Sequence, residues 1–279
     1  MRKLSRADYA PLLRAALRED LGDRGDVTTR VFVSPRARFK ARVVSRERGV
    51  VCGLDVAAAA FRACAPGARV RLLARDGAQV RPGRAVMEVE GGRGLLTAER
   101  TALNFLQRMS GVATLTRAYV DRVRGTGARI LDTRKTLPGW RALDKYAVAC
   151  GGGVNHRMGL HDAAMVKDNH YVGRGLEAGA RALRRRFPRL PLIVECDSPA
   201  QATRALALKP DVILLDNMTP AVLRAEIRRL RRLAPRVKLE ISGGVSLKTV
   251  RALARLGPDR ISIGRLTHSA PALDLGLDL

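Results

Sequence analysis

The sequence has few aromatic residues, few cysteines and no long apolar run. Aromatic residues make up only 4% of the 279 residues, which argues against the base-stacking surfaces of proteins that bind single-stranded nucleic acid. The four cysteines (Cys52, Cys64, Cys150 and Cys196) form no CxxC pair, so their spacing indicates neither a zinc site nor a redox dithiol. No run approaches the roughly 18 apolar residues of a membrane span, and the N-terminus lacks a signal-peptide pattern. We therefore expect a cytoplasmic protein with reduced thiols.

Four common functional motifs are also missing. The sequence contains no GxxxxGK[ST], no GxGxxG between a strand and a helix, no HExxH and no GxSxG, which are the motifs of P-loop proteins, dinucleotide-binding folds, zinc peptidases and serine hydrolases. His156 and His161 are five positions apart and lack the spacing of metal ligands, so we expect His161 to be structural.

The chain is strongly basic, with a formal net charge of +26 and a pI near 11.4. Of its 52 basic residues only eight are lysine, and the arginines recur along the whole sequence in runs such as RALRRRFPRL and RAEIRRLRRL. These runs fit the outer faces of helices. Most of the positive charge therefore reflects a general enrichment in arginine rather than a binding site. We rank nucleic-acid binding third among the possible functions, behind two enzymatic ones. Retention on DNA that falls steeply with salt would favour it.

The first part of the chain predicts a small mixed α/β domain. Residues 1–20 have a helical pattern, and short β segments occupy residues 36–90 around a predicted helix, LDVAAAAFRAC. The segment RLLARDGAQVRPGRAVMEVEG resembles the hairpin of biotin or lipoyl carriers, but no lysine occurs between Lys40 and Lys135, so we interpret it as scaffold. A long helix is predicted from Thr97 to Val123, with Thr97 as N-cap and Glu99 in the first turn.

The second part contains six short apolar runs separated by helical patterns. The runs lie in ARILDTRK, AAMVKDNH, LIVECDS, VILLDNM, KLEISGG and RISIGRL. Such runs are typical of parallel strands that are buried on both faces. Six strands in this length are too few for a full eight-unit barrel. The sequence therefore predicts an incomplete β/α barrel first and an open doubly wound sheet second.

Polar residues follow each run, where the carboxyl ends of parallel strands form a ligand site. They are Asp132, Arg134, Lys135, Lys167, Asn169, Glu195, Asp197, Asp216, Asn217, Ser242, Gly243, Gly244 and Gly264. The glycines after the last two runs favour a phosphate site. Arg134, Arg157 and Lys167 favour binding of carboxylates. Glu195 and Asp216, between these two sets, are suited to sugar hydroxyls, Mg²⁺ or a developing positive charge.

A family resemblance becomes specific at this point. EDLGDRGDVTT, TAERTALNFLQRMSGVAT, ILDTRKTLPGWRALDKYAVACGGGVNHRMGLHDAAMVKDNH, VECDS, ILLDNM, EISGGV and ISIGRLTHS resemble, in order, the quinolinate phosphoribosyltransferase family. The resemblance covers essentially the whole chain, and its long central block is highly specific. Leu137 and His161 depart from the family pattern, in which Thr and Tyr are expected.

The resemblance implies an N-terminal α/β sandwich domain (residues 1–110) and an incomplete, about six-stranded parallel β/α barrel (residues 111–279), with the extreme C-terminus packing back on the first domain. It implies a decarboxylating glycosyltransferase of NAD biosynthesis. This enzyme converts quinolinate and phosphoribosyl pyrophosphate, with Mg²⁺, to nicotinate mononucleotide, pyrophosphate and CO₂. It also implies a homodimer, or a higher oligomer, with shared active sites. Transfer to another pyridine-type acid such as nicotinate, or the role of a molybdenum-transport-associated relative, is the alternative.

The resemblance also assigns roles to individual residues. Quinolinate would be held by Arg134, His156, Arg157 and Lys167, together with Arg100 from the neighbouring subunit. The phosphates would be held by Lys135, Ser242, Gly243, Gly244, Gly264 and His268. The catalytic residues would be Lys135, Glu195 and Asp216, of which Glu195 and Asp216 would contact Mg²⁺ directly or indirectly.

Overall fold

The N-terminal part of the chain alternates short strands with helices, as its pattern predicts. The computed structural model describes residues 3–170 and 175–279. Its first elements are α1 (Arg6–Leu21), α2 (Val27–Phe32), β1 (Arg38–Ser45), β2 (Gly49–Val50), α3 (Leu54–Cys64), β3 (Arg69–Leu72), β4 (Gln79–Val80), β5 (Ala85–Gly92) and α4 (Gly94–Val123). Helix α3 has the bounds of the predicted segment LDVAAAAFRAC, because its apolar residues recur at helical spacing and bury one face.

The rest of the chain alternates strands and helices. These elements are β6 (Arg129–Leu131), α5 (Arg141–Cys150), β7 (Ala164–Val166), a 3₁₀ turn (Asp168–His170), α6 (Leu176–Arg186), β8 (Leu192–Cys196), α7 (Pro199–Leu206), β9 (Val212–Asp216), α8 (Pro220–Leu233), β10 (Lys238–Ser242), α9 (Val250–Ala254), β11 (Arg260–Ser262), α10 (Arg265–His268) and β12 (Leu275–Asp278). Helices α7 and α8 begin as the sequence dictates, with Ser198 and Thr219 as N-caps before a proline.

The chain divides into two compact units. Unit 1 comprises Met1–Arg117, Lys135–Gly153 and Arg265–Leu279, and unit 2 comprises Ala118–Arg134 and Val154–Gly264. The boundary therefore falls inside α4. The predicted domain limits, 1–110 and 111–279, stay a prediction.

Unit 1 contains a four-stranded antiparallel sheet in the order β12-β1-β5-β3. The C-terminal strand β12 pairs with β1, with Arg42 opposite Asp278, so the end of the chain completes the N-terminal sheet. A two-stranded ribbon, β2-β4, accompanies it. Helix α3 contributes a buried face that includes Val56, Ala60 and Phe61. The predicted α/β sandwich is confirmed.

The predicted start of the long helix is wrong. Helix α4 begins at Gly94, three residues before Thr97, and has no acidic residue in its first turn. Gly94 makes the earlier start possible, because a Cβ there would lie 2.0 Å from the carbonyl oxygen of Cys64. The Thr97 hydroxyl instead donates to the Asp26 carboxylate at 2.8 Å. Asp26 also caps α2 by accepting the Thr29 amide, and these hydrogen bonds lower the pKa of Asp26.

Unit 2 contains a six-stranded parallel sheet in the order β6-β11-β10-β9-β8-β7. From β7 to β11 each strand lies beside its predecessor, so the sheet winds in one direction, whereas a doubly wound sheet reverses. β6 closes onto β11, and in the described residues only β6 and β7 are left unpaired with each other. This is the incomplete barrel that the apolar runs predict.

The barrel strands are apolar because they are covered on both faces. In β9 the four residues before Asp216 are all buried, and in β8 only Glu195 is partly exposed. Ala163, Ile193, Val212 and Leu214 form an apolar cluster within unit 2. None of the described helices is long and apolar enough to span a membrane.

Candidate active site

Most of the predicted site residues lie at the carboxyl-terminal ends of the strands of unit 2. Arg134 follows β6, Lys167 follows β7, Glu195 is the penultimate residue of β8, Asp216 and Ser242 end β9 and β10, and Gly264 lies two positions after β11. Because the strands are parallel, these positions share one edge of the sheet. The structure thus brings these residues to one end of the barrel.

Lys167 and Glu195 form an ion pair at this edge. The Lys167 Nζ lies 3.0 Å from Glu195 Oε1 and 2.7 Å from Oε2. The sequence suits Lys167 to a substrate carboxylate and Glu195 to sugar hydroxyls, Mg²⁺ or a developing positive charge, but the structure joins the two side chains to each other. A carboxylate ligand that reaches Lys167 therefore competes with Glu195 for the ammonium group.

The loops that follow β9 and β10 are held together by their backbones. Gly243 and Gly244 have φ values of 90° and 60°, which favour glycine. The Asn217 amide donates to the Ser242 carbonyl at 3.1 Å, and a Cβ on Gly243 would lie 2.0 Å from Asn217 Oδ1. Only glycine fits position 243, and a backbone without side chains can approach an anion closely.

Asp132 positions the segment that carries His156. It is fully buried, and its carboxylate accepts the His156 amide at 2.8 Å and the Asn155 side-chain amide at 2.6 Å. Val154 forms a parallel bridge with Leu131 at the end of β6. His156 belongs to no strand, so these contacts hold its segment beside β6.

Arg157 lies close to a second guanidinium group. Burial lowers the pKa of Arg157, and the charge of Arg134 lowers it further, while Asp162 and Glu195 oppose the change. The Arg157 Nη1 donates to the Ala163 carbonyl at 3.0 Å. Two nearby cations in a partly buried place repel each other, and a bound anion relieves that repulsion.

His156 and Arg157 also face a cavity of about 670 Å³ that the sequence does not predict. Its other lining residues include Pro191, Pro210 and Lys238, which lie at the beginnings of β8, β9 and β10. The cavity therefore lies toward the amino-terminal ends of the strands. The His156–Arg157 pair thus reaches deeper into the barrel than Lys167.

Three predicted site residues belong to unit 1. Arg100 is an exposed residue of α4, and His268 ends α10, where its Nδ1 lies 2.6 Å from Ser269 Oγ. The carbonyl of Lys135 accepts the Thr267 hydroxyl at 2.7 Å. Within unit 1 this bond links the segment of Lys135 to that of His268, the two residues predicted to contact phosphate from this unit.

The carboxylates suit Mg²⁺ only in part. Asp216 Oδ2 accepts the side-chain amide of Asn217 at 2.8 Å, and Glu195 is engaged by Lys167. Mg²⁺ keeps several waters and needs only one or two protein carboxylates when phosphates supply the other ligands. Asp216 fits that role, and Glu195 fits it once Lys167 has another partner.

Two of the cysteines lie together in unit 1, which their sequence spacing did not indicate. Ligand atoms of Cys52, Asp76 and Cys150 lie within 4.8 Å of one another. The Asp76 carboxylate is already engaged, because it accepts two backbone amides at the start of α3 and the Tyr146 hydroxyl at 2.9 Å. Burial raises the pKa of the Cys52 thiol, and a neutral thiol is a poor metal ligand. We assign this cluster to the packing of unit 1.

Comparison with known proteins decides the family. Residues 26–110 match the model of the quinolinate phosphoribosyl transferase N-terminal domain, and residues 112–278 match that of the C-terminal domain. The chain belongs to the quinolinate phosphoribosyltransferase family. It is 48% identical, over 96% of its length and 95% of the relative, to nicotinate-nucleotide pyrophosphorylase [carboxylating] of Mycobacterium leprae.

Other members of the quinolinate phosphoribosyltransferase family agree in sequence and in structure. The chain is 36% identical to quinolinate phosphoribosyltransferase [decarboxylating] 1b of Nicotiana tabacum, over 98% of this chain and 82% of the relative. The solved structure of nicotinate-nucleotide pyrophosphorylase from Francisella tularensis superposes with a TM-score of 0.92 at 34% identity, covering 99% of this chain and 97% of that one. The fold of essentially the whole chain is therefore shared with this solved structure.

Replacing Gly243 by alanine is expected to weaken binding of phosphoribosyl pyrophosphate by about fivefold or more, since backbone strain at such a position costs about 1–3 kcal/mol and the new Cβ displaces Asn217. Isothermal titration calorimetry with Mg²⁺ measures the affinity.

Gly257→Ala is the matched control. Gly257 also has a positive φ, of 89°, but a Cβ there meets nothing within 4 Å. Wild-type affinity in Gly243→Ala, or an equal loss in both variants, would contradict a phosphate site at the ends of β10 and β11.

Proposed function

We propose that this protein is a phosphoribosyltransferase that converts quinolinate and phosphoribosyl pyrophosphate to nicotinate mononucleotide, pyrophosphate and CO₂ in NAD biosynthesis. One observation carries the proposal: cations and glycine-rich loops share a single edge of the parallel sheet of unit 2. Both substrates are polyanions, so such an edge suits them together. The names of the relatives support the same reaction.

The carboxylates of quinolinate are assigned to the cationic part of the edge. The charge of Arg134 contributes to the lowered pKa of Arg157, so the two groups lie near each other. A guanidinium matches a carboxylate in bidentate geometry. Lys167 takes part once it leaves Glu195, and His156 lies in the same segment as Arg157. Arg100 completes this set from the neighbouring subunit.

The phosphates are assigned to the glycine-rich part of the edge. Ser242, Gly243, Gly244 and Gly264 present backbone to the ligand. Lys135 adds positive charge, and His268 adds a ring nitrogen that can donate a hydrogen bond. The locked contact between Asn217 and Ser242 supports this assignment, because a preorganised backbone does not have to rearrange when the anion binds.

The chemistry needs alignment and charge stabilisation but no side-chain nucleophile. Breaking the bond from the ribose to pyrophosphate develops positive charge on the sugar, which the carboxylates of Glu195 and Asp216 stabilise. When quinolinate binds Lys167, Glu195 is released to face that charge. Asp216 would hold Mg²⁺, which would supply positive charge to the pyrophosphate leaving group, and Lys135 contributes to the same end. Holding the two substrates in line lowers the barrier further.

Loss of CO₂ follows from the first step. Transfer to the ring nitrogen makes the pyridine cationic, so the adjacent ring carbon can keep the electron pair of the breaking carbon–carboxylate bond. That carbon then takes up a proton from water to give nicotinate mononucleotide. The decarboxylation therefore requires the ring to stay bound after transfer, and Arg134 and Arg157 retain it through the remaining carboxylate. We place this reaction in the cytoplasm and in a homodimer.

The purified protein with Mg²⁺ and phosphoribosyl pyrophosphate is expected to release pyrophosphate and CO₂ with quinolinate, at a rate far above that of pyrophosphate release with nicotinate. The reason is that nicotinate lacks the second carboxylate for which the cations are arranged. A coupled pyrophosphate assay and trapping of labelled CO₂ measure the two products.

Equal rates with the two acids, or no turnover of quinolinate, would refute the proposal and favour transfer to another pyridine-type acid or the role of a molybdenum-transport-associated relative.

Arg100→Ala and Lys167→Ala are each expected to abolish activity, and their mixture is expected to recover part of it. Recovery requires that Arg100 act in the site of the neighbouring subunit, because a mixed dimer then holds one intact site. Initial rates after subunit exchange measure the recovery. Inactive mixtures, with exchange demonstrated by differently tagged chains, would show that Arg100 does not complete a neighbour's site.

A further inference from the structure

Glu240 is a buried carboxyl group for which the proposed function has no use. It lies in β10, two residues before Ser242, and has no exposed surface. Among the described residues, neither of its carboxylate oxygens has a hydrogen-bond partner. Glutamate is almost never fully buried without a partner, because a desolvated charge is costly. The complete burial of the Glu240 carboxylate therefore needs a physical explanation.

Two basic side chains of unit 2 face the Glu240 carboxylate. His156 Nε2 lies 3.3 Å from Oε1, and Arg260 Nη1 lies 3.9 Å from Oε2. Arg260 is also its register partner on β11. The His156 side chain is only 6% exposed, so little water screens its interaction with the carboxylate. Of the two contacts, the one to His156 is closer and more buried.

The other ring nitrogen of His156 fixes where its proton lies. His156 Nδ1 is 2.8 Å from the Arg157 amide, which donates to it. A neutral imidazole carries one proton, so a nitrogen that accepts a hydrogen bond leaves that proton on the other nitrogen. In a neutral ring the proton then lies on Nε2, the nitrogen that faces the Glu240 carboxylate.

We propose that Glu240 is a positioning residue for the quinolinate site: its buried carboxylate holds the His156 ring with the proton on Nε2. The role of His156 toward quinolinate rests on the proposed function, but the position of the proton does not. Asp132 fixes the backbone of His156, and Glu240 fixes the ring. An outer carboxylate that sets the tautomer of a functional histidine is a common device in protein sites.

The protonation state of His156 tests this inference directly. Nitrogen-15 NMR of the imidazole rings distinguishes the two neutral tautomers and the cation, and the chain has only four histidines. His156→Gln identifies the signal. We expect the Nε2–H tautomer in the wild-type protein. A ring protonated on Nδ1, alone or together with Nε2, would overturn the inference whether or not any variant folds.

Glu240→Gln keeps the shape of the side chain but removes its charge, and its amide can donate to Nε2 as well as accept. We expect the Nε2–H population to fall and the KM for quinolinate to rise about tenfold, the size of effect expected when a buried polar group loses its partner. The KM for phosphoribosyl pyrophosphate is expected to stay within about twofold of wild type, because the phosphate loops are not touched.

Glu226→Gln is the matched control, since Glu226 is another buried glutamate of unit 2 and is paired with Arg229 on α8. It is expected to leave the His156 signals and both KM values unchanged. Unchanged His156 signals in Glu240→Gln, or KM changes equal to those of the control, would overturn the inference. An inactive wild-type enzyme would refute the proposed function instead, and the NMR result on Glu240 would stand.

Discussion

The parallel direction of the six barrel strands is the constraint on which the rest of the structure depends. Because every strand enters at one end of unit 2 and leaves at the other, residues far apart in sequence meet at one edge. The apolar strands stabilise the fold because both of their faces are buried. The residues that end the strands therefore need not be apolar. Lys167, Glu195 and Asp216 can therefore be selected for chemistry rather than for packing.

Charge compensation is the second theme of the site. A pocket for polyanions concentrates cations, and concentrated cations repel one another when no ligand is bound. Two carboxylates of unit 2 lie beside these basic groups: Glu195 pairs with Lys167, and Glu240 faces His156 and Arg260. These contacts hold the basic side chains in place. A substrate carboxylate that binds Lys167 releases Glu195. The same residues thus serve stability without substrate and chemistry with it.

Much of the fold follows from sequence periodicity, whereas the polar contacts of the site do not. All six barrel strands and helix α3 are local patterns, and the structure confirms them. The predicted start of α4 was wrong because Thr97 has a tertiary partner in Asp26, which a local pattern cannot reveal. The contacts between Glu240 and His156, and between Cys52 and Cys150, were missed for the same reason: each joins residues that are distant in the chain and carry no spacing signal.

The most direct test of the account is a crystal structure with quinolinate and an unreactive analogue of phosphoribosyl pyrophosphate. The account predicts the analogue's phosphates against the amides of Gly243 and Gly244, and the quinolinate carboxylates against Arg134 and Arg157. A quinolinate that contacts neither Arg134 nor Arg157, or phosphates bound away from Gly243 and Gly244, would contradict it.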